Sequence, residues 1–307
     1  MLIMDESGKI WMDGEFINWK DANIHILSHA LHYGSSVFEG IRAYEISGKA
    51  GIFRLKEHVQ RLFESMKIYR MDIPYTQNEI SNAIKETMIL NNLKECYIRP
   101  IIYRGYGTLG IDPRKSPTNI AIAVWSWGPY LGDTAIEKGI DVNVSSWRRM
   151  APNTLPSLAK SGANYMNAQL AKLEATHNNF DDCIMLDIEG FVGEGSGENI
   201  FLVKDNLIYT PSISSSILKG ITRDSVITIA KDLGYDVIQE KIPRELLYIA
   251  DELFYSGTAA EITPIRTVDG INVSDGMVGS ITKSIQNEFF AIVKGKTADK
   301  YGWLDIF

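Results

Sequence analysis

Apolar spacing along this chain switches repeatedly between the alternation of a half-buried strand and the three- and four-residue steps of an amphipathic helix, which confines it to a mixed α+β architecture. The first signal is a hairpin, Lys9 to Met12 and Glu15 to Trp19, because Asp13-Gly14 suits the positive φ values of a tight type I′ turn. Strands are expected over Val37 to Tyr44 and Gly51 to Arg54. A helix follows with Leu55, Val59, Leu62 and Met66 on its apolar stripe and Arg61 off it. Thr76 and Glu79 read as a capping box for a second helix, which carries Ile80, Ala83, Ile84, Thr87 and Met88 and ends near Asn91-Asn92. Strands at Cys96 to Tyr103 and Asn119 to Trp125 complete a β-rich first half.

Turn formers break both periodicities from Ser126 to Asp133, so the chain is expected to divide there into a small N-terminal domain over 1–125, an interdomain loop over 126–137 and a larger domain over 138–307. Trp127 and Tyr130 are unusual in a solvated linker and point to a segment folded over a bound substrate. The second half mixes both element types. It opens with a strand at Ile140 to Ser146, then a helix with Met166, Leu170 and Leu173 on one face, then strands at Cys183 to Asp187, Ile200 to Val203 and Leu207 to Thr210. Thr222 is a candidate N-cap for a helix bearing Val226, Ile229, Ala230 and Leu233 and stopping at Gly234, which makes Gly220-Ile221-Thr222 a natural anion site. After strands near Tyr235 to Gln239 and Leu253 to Tyr255, a final helix carries Ile281, Ile285, Phe289 and Ile292.

With 45% hydrophobic and 22% charged residues in 307, and no apolar run near the length of a membrane span, the composition implies a soluble protein. The opening Met1-Leu2-Ile3-Met4-Asp5-Glu6 lacks a basic n-region, so cytoplasm is the expected compartment. A formal charge of -7 disfavours a general nucleic-acid binder. Cys96 and Cys183 stand alone, without the spacing of a disulfide framework or a thiolate metal site. His25, His29 and His32 have helical spacing, but no HExxH and no acidic or cysteine ligand accompanies them, so no metal is expected. The chain also lacks the GxSxG elbow of a serine hydrolase.

Two stretches carry chemistry. Lys160 lies in Pro156-Ser157-Leu158-Ala159-Lys160-Ser161-Gly162-Ala163-Asn164-Tyr165, where small neighbours leave room for a bulky adduct on its amine. Gly193-Glu194-Gly195-Ser196-Gly197-Glu198-Asn199 places carboxylates on backbone that can approach a ligand closely. An amine and a carboxylate so placed are what pyridoxal 5′-phosphate chemistry requires, the carboxylate keeping the pyridine nitrogen protonated so that the ring withdraws electrons. Spacing alone does not choose between Glu194 and Glu198. Nor does it decide whether Tyr165 donates to the cofactor or packs at a helix start. Arg61, Ile221, Thr222 and Thr258 are phosphate candidates, from a helix N-terminus and the turn Gly257-Thr258-Ala259. Tyr97 and Arg99, two apart in an expected strand, share a face that can hold a carboxylate or an internal ion pair.

The run His29 to Arg42, the Lys160 segment and Glu194 to Phe201 resemble the class IV pyridoxal phosphate aminotransferases, specifically the branched-chain amino acid aminotransferases, and the likeness extends over nearly the whole chain. It implies fold type IV, a small α/β domain with a larger mixed α/β cofactor domain, and a homodimer at minimum. Lys160 would be the Schiff-base lysine and the acid and base at substrate Cα. Tyr165 would meet the phenolic oxygen and Glu194 the ring nitrogen. Arg61, Ile221, Thr222 and Thr258 would hold the phosphate, with Leu218 also among the cofactor-binding positions. Phe38, Gly40, Trp127, Tyr130, Thr258 and Ala259 match the substrate pocket. Tyr33, Leu109 and Ile111 would enter from the neighbouring subunit, Tyr97 would help hold the α-carboxylate, and Arg99 would receive the distal carboxylate of glutamate. The implied substrates are small amino acids and 2-oxo acids. Arg99 tilts the reading away from the D-amino acid and (R)-amine branches, whereas Tyr106 and Thr108 are bulkier than the pattern leads one to expect; the alternatives are another class IV enzyme, such as a D-amino acid transaminase or aminodeoxychorismate lyase, and a non-catalytic ligand-binding protein of the same fold.

Overall fold

Asp13 and Gly14 take φ of 50° and 100°, and the hairpin forms as its sequence requires, with Lys9–Met12 antiparallel to Glu15–Asn18. The computed structural model describes residues 8–128, 131, 132 and 134–307, so the opening hexapeptide and Tyr130 lie outside the described residues. Two units emerge, one comprising 1–127, 159–163 and 292–307, the other 128–158 and 164–291.

The first unit is built on an antiparallel sheet in the order Leu304–Ile306, Lys49–Phe53, Ile41–Ile46, Cys96–Arg104, Thr118–Trp125, Lys9–Met12, Glu15–Asn18, with Ser36–Phe38 also paired to Cys96–Arg104. Helices Leu55–Ile68 and Gln77–Leu90 contribute Leu62, Ile80 and Ile84 to one core with Ile41, Ile52 and Ile98 of the sheet. The capping box is present: Glu79 N–H donates to Thr76 Oγ1, and Thr76 N–H donates to the Glu79 carboxylate. The single strand expected over Val37 to Tyr44 is instead two, Ser36–Phe38 and Ile41–Ile46. Glu39, fully buried between them, keeps a backbone bond to the Pro100 carbonyl of the sheet and sends its carboxylate to Arg61 and His58. Arg61, although off the apolar stripe, is buried, only 8% exposed.

The second unit holds a mixed sheet in the order Val192–Glu194, Asp182–Leu186, Ile140–Val144, Glu261–Val268, Glu252–Gly257, Asn199–Lys204, Leu207–Pro211, Val237–Glu240. Ile140–Val144 runs parallel to both its neighbours, and Leu207–Pro211 runs parallel to Val237–Glu240. Helix Asn164–His177 buries Asn164, Ala168, Ala171 and Ala175, while Met166, Leu170 and Leu173 are exposed, which reverses the face expected from apolar spacing. Small residues allow the helix to approach Cys183 and Met185 closely, and that contact sets its rotation. Helix Ile221–Asp232 starts two residues earlier than expected, with Gly220 rather than Thr222 as N-cap and Thr222 inside the first turn. Among the described residues no helix is long and apolar enough to cross a membrane.

Candidate active site

In the first unit, Lys160 is held by backbone on both sides. Its carbonyl accepts from Phe38 N–H (2.9 Å), its own N–H donates to Ser65 Oγ (3.0 Å), and Ser161 bridges Val37 in antiparallel fashion. The Lys160 segment thus extends the edge of strand Ser36–Phe38, and the amine stands 5.1 Å from the centre of the Phe38 ring. Beneath Phe38, Glu39 grips the guanidinium of Arg61, with Nε to Oε1 at 2.7 Å and Nη2 to Oε2 at 2.8 Å, and also accepts from His58 Nδ1 at 2.7 Å. Burial alone would push the Glu39 pKa up. The Arg61 charge and the hydrogen bonds from His58 and Arg61 overcome it, and the carboxyl lies well below the ordinary range. Burial drives the His58 pKa down against the pull of Glu39. An ionised carboxylate only accepts, so Nδ1 of a neutral His58 carries the proton.

Arg99 is caged by aromatic rings, 4.8 Å from Phe38, 5.4 Å from Tyr97 and 5.9 Å from Trp125. Trp127 meets Tyr97 edge-on at 4.3 Å. Gly40 lies so close to Tyr97 that a Cβ there would fall 1.9 Å from the phenolic oxygen, so a larger residue would displace the tyrosine. Arg61, Phe38, Gly40, Tyr97, Arg99, Trp127 and Lys160 are thereby linked in one neighbourhood. Tyr33, Leu109 and Ile111 are exposed. His29 ties their segments together, with Nε2 at 2.9 Å from the Gly110 carbonyl and its ring 4.6 Å from that of Tyr33. His32 Nε2 meets the Ile26 carbonyl and His25 Nδ1 accepts from Leu27 N–H, so each histidine has a local structural contact.

In the second unit, Glu194 is buried and its two oxygens are both engaged. Oε1 lies 2.6 Å from Arg149 Nη2, while Oε2 accepts from Asn199 Nδ2 and from Leu218 N–H, each at 3.0 Å. Asn199 Nδ2 also donates to the Leu218 carbonyl (2.9 Å), which ties the glycine turn to the segment leading into helix Ile221–Asp232. Ile221 and Thr222 occupy the first turn of that helix, whose N–H groups have no partner within a helix. Thr258 and Ala259 form the turn after Glu252–Gly257, the strand that pairs Ser256 with Asn199. Tyr165 is the second residue of helix Asn164–His177 and half-buried.

The family model described as amino-transferase class IV matches residues 36–268. The chain belongs to the class IV amino-transferases. Within that family it is 50% identical over 297 residues to the branched-chain-amino-acid aminotransferase of Escherichia coli strain K12, covering 96% of each chain. The crystal structure of the Escherichia coli branched-chain amino acid aminotransferase superposes with a TM-score of 0.96 at 49% identity, covering 97% of this chain and 99% of that one. The branched-chain amino acid aminotransferase from Thermobaculum terrenum, in its PLP-form, superposes with a TM-score of 0.90 at 33% identity, covering 98% of this chain and 99% of that one.

Sequence reasoning missed four residues of this class IV site: Glu39, His58, Arg149 and Asn199. Glu39 had a legible signal, a lone acid in an apolar strand next to a glycine. Arg149 had none, since Trp147-Arg148-Arg149-Met150 gives no periodicity to say which arginine turns inward.

Proposed function

We propose that this chain is a pyridoxal phosphate transaminase that exchanges the amino group of L-leucine, L-isoleucine or L-valine with 2-oxoglutarate. Near full-length likeness to branched-chain-amino-acid aminotransferases supports the substrate class. The geometric observation that carries the reading is Glu194, a buried carboxylate pinned by Arg149, Asn199 and Leu218 on a glycine turn. A carboxylate so charged can accept from a protonated pyridine nitrogen. Glu198, by contrast, has no ion pair among the described residues, which favours Glu194 for the role. The donor set also fits the phosphate. Ser256 Oγ is buried without a hydrogen-bond partner among the described residues, next to the Gly257-Thr258 turn, and a helix start lies at Ile221-Thr222.

Bound, pyridoxal phosphate supplies an aldehyde that can carry an amino group from one acid to the next and a ring that withdraws electrons. Lys160 would hold it through its amine, and that amine would serve as the base and acid for the proton at substrate Cα. Tyr165 meets the phenolic oxygen. Arg61, fixed by Glu39, and Ile221, Thr222 and Thr258 would be the phosphate-binding residues, with Leu218 also among the cofactor-binding positions. Phe38, Gly40, Trp127 and Ala259 are the side-chain pocket positions, and Tyr97 helps hold the α-carboxylate. Arg99 gives the distal carboxylate of glutamate a charge partner, and its Nε is buried without a hydrogen-bond partner among the described residues. Tyr33, Leu109 and Ile111 complete the pocket of a second copy in a homodimer.

Lys160→Ala is expected to abolish transamination between L-leucine and 2-oxoglutarate. Wild-type turnover in that variant would end the lysine assignment, and exclusive use of D-alanine by the wild type would end the substrate assignment.

A further inference from the structure

Glu198 is the one member of the glycine turn whose burial is not accounted for by any role above. It is 3% exposed, and its contacts are with the turn itself: Oε2 accepts from Gly197 N–H at 2.9 Å, and its carbonyl accepts from Gly195 N–H at 2.7 Å. Gly195 lies directly on this carboxyl and on the Tyr255 ring. A Cβ at that position would fall 2.9 Å from Oε2 and 3.0 Å from a ring carbon, so the turn is closed down on the acid as tightly as its backbone allows. The turn begins at Glu194 and ends at Asn199, whose side-chain amide donates back to Glu194 across the mouth. The seating of Glu198 therefore sets the separation of two residues that meet at the ring-nitrogen carboxylate.

The surroundings favour the uncharged acid. Asp182, fully buried, is paired with Lys172 at 2.8 Å, so that cation is already committed. Glu194 adds a second acid. Tyr255 donates its hydroxyl to the Cys183 carbonyl at 2.7 Å, and both Tyr255 and the Cys183 thiol have pKa values pushed up by burial, so they remain neutral. Burial, then Asp182 and Glu194, against the Gly197 hydrogen bond and the Lys172 charge, raise the Glu198 pKa to about 8.

We propose that Glu198 is a positioning residue for cofactor recognition, acting as a buried neutral carboxylic acid that shapes the turn 195–198 so that Glu194 and Asn199 present a single ionised carboxylate to the pyridine ring. The proposal rests on the assignment of Glu194 to the ring nitrogen. A carboxamide reproduces the shape and the acceptor of a neutral acid, whereas alanine removes both, and ionisation adds a buried charge beside two others. The expected order therefore follows form rather than charge.

The test is the dissociation constant of pyridoxal phosphate from the purified full-length protein, measured by fluorescence for wild type, Glu198→Gln and Glu198→Ala. Glu198→Gln is expected to stay within about threefold of wild type near neutral pH, and Glu198→Ala to weaken binding by about tenfold or more. From about pH 6 to about pH 9.5 the wild type should lose affinity relative to Glu198→Gln as the acid ionises. Titrations of Lys160 and of the phosphate cancel in that ratio. Glu198→Ala binding as tightly as wild type, Glu198→Gln binding as poorly as alanine, or a pH-independent ratio would each overturn the proposal. The ratio needs no alanine variant, so it stands even if that one fails to fold. Glu194→Gln separates the two readings. If it leaves both affinity and the visible absorption of the loaded protein unchanged, the ring-nitrogen assignment fails, whatever the Glu198 variants show.

Discussion

Glu39 shows how a residue with no chemistry of its own can decide what a site is able to hold. Its carboxylate satisfies one edge of the Arg61 guanidinium and the Nδ1 proton of His58, all three of them buried. Glu39→Gln would leave Arg61 buried with its counter-charge removed, a loss of about 3 to 5 kcal/mol by urea unfolding. The pH dependence has a definite sign. The folded pKa of Glu39 is depressed below the ordinary 4.5, so its contribution is present above that value and is lost as pH falls through the folded one. The stability gap between wild type and Glu39→Gln should therefore shrink on acidification below about pH 4.5; a gap that widens there would contradict the assignment. Arg99 is the other residue whose role is decided by its neighbours. Stacked on Phe38, Tyr97 and Trp125, its side chain is oriented before any substrate arrives. Arg99→Ala is expected to cost about 2 kcal/mol more in kcat/KM for glutamate than for leucine, from the lost charge-assisted bond. Equal losses in the two half-reactions would remove it from glutamate recognition. The residue types at 99 and 160 were legible in sequence, whereas the burial of Arg61 was not, because its partner lies 22 positions away and nothing local marks the pairing.

At the scale of elements, legibility followed the strength of the local code. The Asp13-Gly14 hairpin and the Thr76–Glu79 capping box carry their instructions within four residues, and both formed as read. Thr76→Ala should cost about 1 kcal/mol through the lost N-cap. Helix Asn164–His177 is the counter-example. Its large apolar residues suggested one buried face and its alanines determined another, because close approach to Cys183 and Met185 needs small side chains more than it needs hydrophobic area. Ala171→Leu is expected to destabilise by about 1 to 3 kcal/mol through overpacking. Leu173→Ala, on the 65% exposed face, should stay within about 0.5 kcal/mol. Reversal of that order in thermal or urea unfolding would restore the face that apolar spacing favours.

Across the whole chain, what escaped sequence reading was long-range pairing. Strand Glu261–Val268 is central in its sheet, yet Pro264 disguises it, and it finds Ile140–Val144 as a parallel neighbour more than a hundred positions away. Pro264 is tolerated because the parallel register begins only at the next residue, Ile265 against Ile140. Surface apolarity is the other whole-molecule property, and it bears on assembly. In the first unit Ile24, Ile26, Leu31, Tyr33, Leu109 and Ile111 are all exposed, the last at 86%. The Ile24–Leu31 segment also rims an apolar cavity of about 410 Å³ that reaches Arg99. Their loops are not loose. Arg104 donates to the carbonyls of Pro113 and Arg70, and Ser116 Oγ donates to the Thr108 carbonyl, so the apolar groups are presented on fixed backbone. Such a patch is costly on a monomer and suits a second copy of the chain. The protein is therefore expected to sediment at twice the mass of its 307 residues or more. Ile111→Asp would place an unpaired charge in that interface, and dissociation should rise by about tenfold or more. If the side chain also enters the partner's pocket, KM for leucine should rise in the same variant even at concentrations that keep it assembled. A variant that sediments as wild type with an unchanged KM would show that Ile111 faces solvent in the working enzyme.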